Sequence, residues 1–353
     1  MSPEPAAVGS RGHLMAAEIG AQPQVWREIL AASGAALDEA AAAIRAYRPR
    51  FVLLVARGTS DHAALYAKYL VETRLELPAG LVSPSTMTAY GARPDLRDVL
   101  MIAVSQSGGS PDLVRSIEVA GEQGALTLAV TNNAASPLAA AARWHLDIRA
   151  GEELAVAATK SYTAELLTLY LLLSRWRGGP APELERLAEI GEISLRSDDA
   201  IVDLATRYRF AQRLVVTGRG FSYPTTREAA LKLMETSYLS AQAFSGADLL
   251  HGPLAMVEPQ VPVILVAAGG VGGRAMMPVL TRVLDRGADV CCIGDAEAVS
   301  RATVGIELPG GLPEELSPLI EIIPLQQLAL HLAVARGEDP DAPRGLRKVT
   351  ETL

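Results

Sequence analysis

Ser105, Gln106, Ser107 and Ser110 fall directly behind the apolar run Ile102–Val104 and just ahead of a helical pattern from Asp112 to Gly121. A strand that runs into a Ser/Gly loop and then a helix N-terminus aims hydroxyls and backbone N–H groups at one point, where the helix dipole also favours an anion. That chemistry suits a phosphate. The loop has neither the GxxxxGK[ST] spacing of a nucleotide P-loop nor the GxGxxG of a dinucleotide fold. Taken alone, it also fits an ordinary strand–helix turn. A second set, Glu228, Lys232 and Glu235, is spaced i, i+4, i+7 and shares one helix face. On an arbitrary helix this is a solvated salt-bridge stripe. Here the helix follows Gly218-Arg219-Gly220 and carries Ala229-Ala230-Leu231 as an apolar flank. Glu235 is therefore expected to be partly buried, with a raised pKa suited to proton transfer. His251 stands in a loop before Gly252-Pro253, held rigidly outside a regular core, with a structural role as the alternative. His62, beside the Arg57–Ser60 turn, is a weaker ligand candidate, and His13, His145 and His331 have no evident chemical neighbours. The tail from Asp341 to Leu353 begins with Asp-Ala-Pro and carries Lys348, an amine able to attack a carbonyl. It either closes over a site or only packs down.

These residues need elements to hold them. Phe51–Val55 is a short apolar run broken by the turn Arg57–Ser60, with a helical pattern from Asp61 to Glu72. A strand at Val99–Val104, a helix to Gly124 and a strand at Ala125–Thr131 follow. The plan recurs: Arg213–Gly218 leads through Gly220 to a helix reaching Glu235. Val261–Ala267 is then a strand with the loop Ala268–Gly273, a helix runs to Arg286, and Ala288–Ile293 is another strand. Strands rich in Val, Ile and Leu without alternation are buried on both faces, as in parallel sheets covered by helices. The predicted class is α/β, with two doubly wound αβα lobes related by an internal repeat. Ligands in such sheets sit at the carboxyl ends of the strands. The lobe-two loop Ala268–Gly273 has no hydroxyls, so lobe one takes the phosphate and lobe two supplies the ionisable groups. Leu154–Arg177 reads as one long apolar helix, and Ala181–Glu192 as a linker helix. The expected boundaries are an N-terminal tail and helix at 1–36, lobe one at 37–180, the linker and lobe two at 181–340, and a closing tail at 341–353.

The 353 residues are 49% hydrophobic and 20% charged, enough to bury a large core. The net charge of −8 argues against a nucleic-acid partner, which wants a basic face. No apolar run is expected to reach membrane-spanning length, and the N-terminus has no signal-peptide core. Met1–Gly12 reads as a loose tail. Cys291 and Cys292 are adjacent in an apolar stretch and suggest neither a metal nor a disulfide, so a cytoplasmic location is expected.

The ordered set Arg57-Gly-Thr-Ser60, Ser105-Gln-Ser-Gly-Gly-Ser110, Val156-Ala-Ala-Thr-Lys160, Gly218-Arg-Gly220, Glu228 to Glu235, His251-Gly-Pro253 and the Lys348 tail resembles the sugar isomerase (SIS) family. Within it, the chain is most similar to the isomerase half of glucosamine-6-phosphate synthase and to the type II glucosamine-6-phosphate deaminases. The resemblance runs from His13 onward. It implies a phosphosugar substrate, with Thr59, Ser105, Gln106, Ser107 and Ser110 at phosphate-binding positions and Gly58 and Ser60 among the substrate-binding residues. It implies backbone contacts to the sugar from Val156 and Ala158, and places Glu228 among the substrate-binding residues. Glu235 matches the acid/base that moves a proton between C1 and C2, with Lys232 beside it. His251 matches the ring-opening histidine, lent in the family by an adjacent subunit, and Lys348 the lysine that forms a Schiff base with the open-chain ketose. A homodimer with a shared site, working without metal or other cofactor, is thus implied. The synthase's cysteine nucleophile after the initiator Met is replaced by Ser2, and lobe one begins within fifty residues, so glutamine is not expected to be the direct nitrogen donor. Arg57 stands where synthases often have a small residue or cysteine. The expected reaction converts glucosamine 6-phosphate to fructose 6-phosphate and ammonia. The alternatives are an aminotransferase-type isomerisation in the opposite sense, a fructosamine-phosphate deglycase and a non-catalytic phosphosugar sensor.

Overall fold

The computed structural model describes residues 11–178, 182–259 and 261–348. Of the expected tails, Met1–Ser10 and Val349–Leu353 lie outside these residues. Contacts divide the described chain into two compact units: residues 24–153 with 160–178 and 182–185, and residues 11–23 with 154–159, 186–259 and 261–348.

The first unit is built on a five-stranded parallel sheet: β1 (Phe51–Val55), β2 (Ala79–Leu81), β3 (Val99–Ser105), β4 (Leu126–Thr131) and β5 (Trp144–Asp147), in the order β2-β1-β3-β4-β5. The second holds β6 (Arg213–Gly218), β7 (Ser240–Ser245), β8 (Pro262–Ala267), β9 (Asp289–Gly294) and β10 (Val304–Glu307), in the order β10-β9-β8-β6-β7. Numbered within its own lobe, each sheet runs 2-1-3-4-5. The α/β class, the parallel sheets and the internal repeat are as the sequence predicts. Because order reverses beside the first strand of each lobe, the loops after β1 and β3, and after β6 and β8, meet at a topological switch point. β3, β4, β8 and β9 are almost wholly buried, which explains their mostly apolar runs. Helices cover them: Leu113, Ile117 and Ala120 pack on Met101 and Ala103 in one core, and Met276, Val279 and Leu280 on Val263 and Leu265 in the other.

The differences from the sequence reading are local. Residues 154–159 are an irregular loop, and the expected Leu154–Arg177 helix starts only at Lys160 (Lys160–Arg177). The Glu153 carboxylate accepts hydrogen bonds from Ser161 N–H at 3.0 Å and Ser161 Oγ–H at 2.7 Å, which caps that start. The lobe-two loop is shorter than Ala268–Gly273, since a helix begins at Val271 (Val271–Leu284). β2, β5, β7 and β10 are edge strands and only partly buried, so no apolar run announces them. The stretch Glu314–Ala335 is long and apolar enough to span a membrane, contrary to the expectation that no run reaches that length. It is 83% buried, however, and its helix (Ser317–Ala335) packs against the Ser222–Ser237 helix as a core element.

Candidate functional site

In the first unit, Gly58 (φ 55°) turns the chain from β1 into the Thr59–Leu70 helix. Thr59 and Ser60 are that helix's first residues. Ser105 closes β3, and its Oγ accepts the Gly108 N–H at 3.1 Å, while Ser107 Oγ accepts the Gly109 N–H at 3.3 Å. As acceptors, both hydroxyls keep their hydrogens to donate. Gly108 takes a left-handed φ of 63°, and a Cβ there would collide with the Ser136 side chain. Gln106 is tied down by its carbonyl, which accepts the Asn132 N–H at 3.0 Å. Ser110 is the N-cap of the Pro111–Glu122 helix, with extended backbone and no side-chain bond to the helix end. The loop therefore points hydroxyls and a helix N-terminus into the lobe-one switch point, as an anion site requires. Ser60 differs from its neighbours. Its hydroxyl hydrogen goes to Glu165 Oε1 at 2.8 Å, both residues being buried. Arg57 spans the two loops, its Nε and Nη2 on Asp112 Oδ2 at 2.8 and 2.7 Å. His62 is buried.

Lobe two fills the matching place with its own carboxylates. At the N-terminus of the Val271–Leu284 helix, Glu314 accepts the N–H groups of Val271 at 2.5 Å and Gly272 at 2.8 Å. Gly270 (φ 124°) leaves no room for a Cβ against that carboxylate. The Ser60–Glu165 pair is repeated as Ser222–Glu321, with Ser222 Oγ donating at 2.7 Å and Ser317 Oγ donating at 2.8 Å. Burial pushes the Glu321 carboxyl up to about 6, against the opposing pull of these hydroxyls.

The same unit holds the ionisable helix, Ser222–Ser237. Lys232 is 1% exposed and sits between two carboxylates, Nζ lying 2.6 Å from Glu235 Oε2 and 3.3 Å from Glu228 Oε1. Glu228 is fully buried, and the Glu235 side chain is 23% exposed. This is not a solvated stripe. Burial alone would depress the Lys232 pKa, but the two carboxylates outweigh it and the net direction is upward, so Lys232 is a fixed cation. Glu235 is partly buried, as expected, and its carboxylate is paired with the sealed Lys232 ammonium.

Val156 and Ala158 lie in the 154–159 loop. Ala155, Ala157 and Thr159 are buried and the residues between them are not, so Val156 and Ala158 are on the accessible side. Lys348 reaches this loop, Nζ donating to the Ala155 carbonyl at 2.6 Å. His251 is exposed just past the short Gly246–Leu250 helix. Its Nδ1 lies 2.7 Å from the Ala247 carbonyl; a carbonyl only accepts, so Nδ1 carries the hydrogen and Nε2 is the basic nitrogen. The structure thus brings together Glu228, Lys232 and Glu235, joins Lys348 to the Val156–Ala158 loop, and gathers Gly58, Thr59 and Ser60 with Ser105–Ser110. Sequence reasoning passed over Asp112, Glu165, Glu314 and Glu321. For Glu165 and Glu321 the signal was a single acid inside an apolar helical run.

The SIS domain profile matches residues 47–175 and again 208–336, one stretch over each sheet. The chain belongs to the SIS domain family. A curated relative, glutamine–fructose-6-phosphate aminotransferase [isomerizing] of Thermococcus kodakarensis, is 36% identical over 349 residues, 95% of this chain. The match covers 57% of that relative, so the chain spans little more than half the length of the curated protein. Among solved structures, a protein of Silicibacter pomeroyi DSS-3 described as a candidate phosphosugar isomerase aligns with a TM-score of 0.86 at 36% identity, over 93% of this chain and 99% of that one. The C-terminal domain of glucosamine-fructose-6-phosphate aminotransferase from Francisella tularensis aligns with a TM-score of 0.85 at 26% identity, over 96% and 100%. Two SIS lobes with helices on both faces of each sheet account for the internal repeat.

Proposed function

We propose that this SIS protein is an amino-sugar-phosphate isomerase and deaminase, converting glucosamine 6-phosphate to fructose 6-phosphate and ammonia. The observation that carries the reading is the buried Glu228–Lys232–Glu235 cluster, a carboxylate base locked against a permanent cation. The lobe-one loop holds the 6-phosphate through the hydroxyls of Ser105 and Ser107 and the adjoining N–H groups, with Gly58, Thr59, Gln106 and Ser110 around it. His251 opens the pyranose ring through Nε2. Glu235 takes the C2 proton of the open-chain aldehyde, and the electron pair moves through C1 onto O1 to give an enolamine. Lys232 offsets the negative charge that develops at O1. Glu235 returns the proton to C1 as one N–H proton passes to O1, leaving a C1 hydroxyl and an imine at C2. Water adds to that imine and ammonia departs. Lys348 holds the ketose as a Schiff base on its Nζ, with loss of water. A positioned carboxylate suffices for a proton shift beside a carbonyl or imine. We also place the protein in the cytoplasm as a homodimer, in keeping with its free, buried Cys291 and Cys292.

A second reading has a specific observation behind it: the curated relative is named for the aminating, isomerising reaction. The two directions are separated by one assay. Purified protein is incubated with glucosamine 6-phosphate, its 2-epimer and fructosamine 6-phosphate, and ammonia is followed. In parallel, fructose 6-phosphate is offered with ammonia or with glutamine. Ammonia from glucosamine 6-phosphate is the expected result. Glucosamine 6-phosphate formed from glutamine would establish the second reading, and binding of all three sugars without turnover would leave only a sensor.

A further inference from the structure

The His13–Ala32 helix places Glu18, 7% exposed, against the loop that carries Val156 and Ala158. Its carboxylate accepts the N–H of Leu154 at 2.5 Å, and both oxygens lie 3.3–3.4 Å from the Ala155 nitrogen. A carboxylate withdrawn from water is costly unless donors converge on it, and here adjacent peptide N–H groups do so. The next peptide unit is held as well, since Lys348 Nζ donates to the Ala155 carbonyl at 2.6 Å. The far end of the loop is tied by a relay: Gln22 Nε2 donates to Gln326 Oε1 at 2.9 Å, and Gln326 Nε2 donates to the Thr159 carbonyl at 3.2 Å. Between these ties Ala155, Ala157 and Thr159 are buried, and the accessible residues are Val156 and Ala158. The segment has no helix or strand of its own to set its backbone. Its conformation is therefore set by the side chains that hold it, and Glu18 is the charged one holding its N–H groups.

We propose that Glu18 is a positioning residue: its carboxylate fixes the 154–159 loop so that the backbone around Val156 and Ala158 meets the sugar and the Ala155 carbonyl seats Lys348. This rests on the proposed phosphosugar reaction. Glu18 itself touches no reacting atom. Its effect belongs to recognition of the sugar, and not to the phosphate, which the lobe-one loop holds independently.

The test compares the wild type with Glu18→Gln and Glu18→Asp. Turnover of glucosamine 6-phosphate, affinity for inorganic phosphate and thermal unfolding are measured for each, together with borohydride trapping of fructose 6-phosphate on Lys348. Gln keeps one acceptor but loses the charge. KM is expected to rise about tenfold on the scale typical of displaced contacts, with kcat within a few-fold, trapping slowed, and phosphate affinity and unfolding temperature unchanged. Asp restores the charge at shorter reach and should recover part of the loss. If Glu18→Gln matches the wild type in KM and trapping, the inference fails while the reaction stands. If phosphate affinity and unfolding temperature fall in step with KM in both variants, Glu18 is only structural and the inference fails. If the wild type turns over no amino-sugar phosphate, it is the proposed reaction that falls; Glu18 is then judged by trapping and by amide exchange at Leu154 and Ala155, which must quicken in Glu18→Gln.

Discussion

At the scale of single residues, the chemistry turns on where each proton and each charge sits. Glu235 is joined to a lysine that is itself buried, so a neutral amide in its place keeps the shape and removes the base. Glu235→Gln is expected to lose about 100-fold or more in turnover with near-normal KM, read by ammonia release. Full activity would return the trio to a purely structural role. The lobe-one hydroxyls behave differently, because Ser105 and Ser107 accept N–H groups from their own loop and so have hydrogens left to give. Each such bond to a charged group contributes about 1.5–3 kcal/mol. Ser105→Ala with Ser107→Ala should therefore weaken affinity for a 6-phosphate sugar by at least 100-fold by calorimetry. Unchanged affinity would remove the phosphate from this loop. Ser60 shows why residue type alone misleads: it belongs to the same motif, yet its hydrogen is given to Glu165.

At the scale of elements, the two lobes show one plan used twice with different occupants. A helix that opens with a buried serine is pinned to a buried glutamate of a later helix, as Ser60–Glu165 and as Ser222–Glu321. In lobe one the Ser110 N-cap makes no side-chain bond to its helix end, whereas lobe two closes its own with Glu314. The Glu321 pair has a pH signature. Its carboxyl is raised from an ordinary 4.5 to about 6, so the folded state favours the protonated form. That contribution is fully present below pH 4.5, and it is lost as pH rises through about 6. The gap corresponds to about 2 kcal/mol. Urea midpoints taken from pH 4 to 7 should show the wild type losing stability across this window relative to Glu321→Gln, which cannot ionise. Parallel pH profiles for the two proteins would mean Glu321 does not titrate there.

At the scale of the whole molecule, the proposed dimer carries its own prediction. His251 is exposed, and its Nδ1 is engaged by the Ala247 carbonyl on its own short helix, so Nε2 is the nitrogen left to meet a neighbouring subunit. If the histidine acts in the adjacent subunit, mixing His251→Ala with Glu235→Gln restores activity that neither has alone. Each hybrid dimer has one doubly damaged pocket and one intact pocket. Random exchange of equal amounts should thus recover about a quarter of wild-type sites under two-fold symmetry. Ammonia release that stays at the level of the separate mutants, with exchange verified by native mass, would place His251 in its own subunit's chemistry.

The sequence by itself determined the class, the repeat and most of the central strands. β3, β4, β6, β8 and β9 are almost wholly buried and β1 is buried on one face, so apolar residues dominate them. It also determined the Glu228–Lys232–Glu235 cluster, because i, i+4 and i+7 are neighbours on any helix. Edge strands were illegible, since β2, β5, β7 and β10 have too little buried surface to leave a pattern. Tertiary structure alone decided that Lys232 is sealed from water, that Ser60 serves Glu165, and that Glu314 fills the lobe-two helix end. It alone brought Glu18 to a loop 136 residues away. Sequence periodicity reports only neighbours a few residues apart. The burial of a charge and the partner of a distant N–H are set by which helices pack together, and that is fixed only when the core closes.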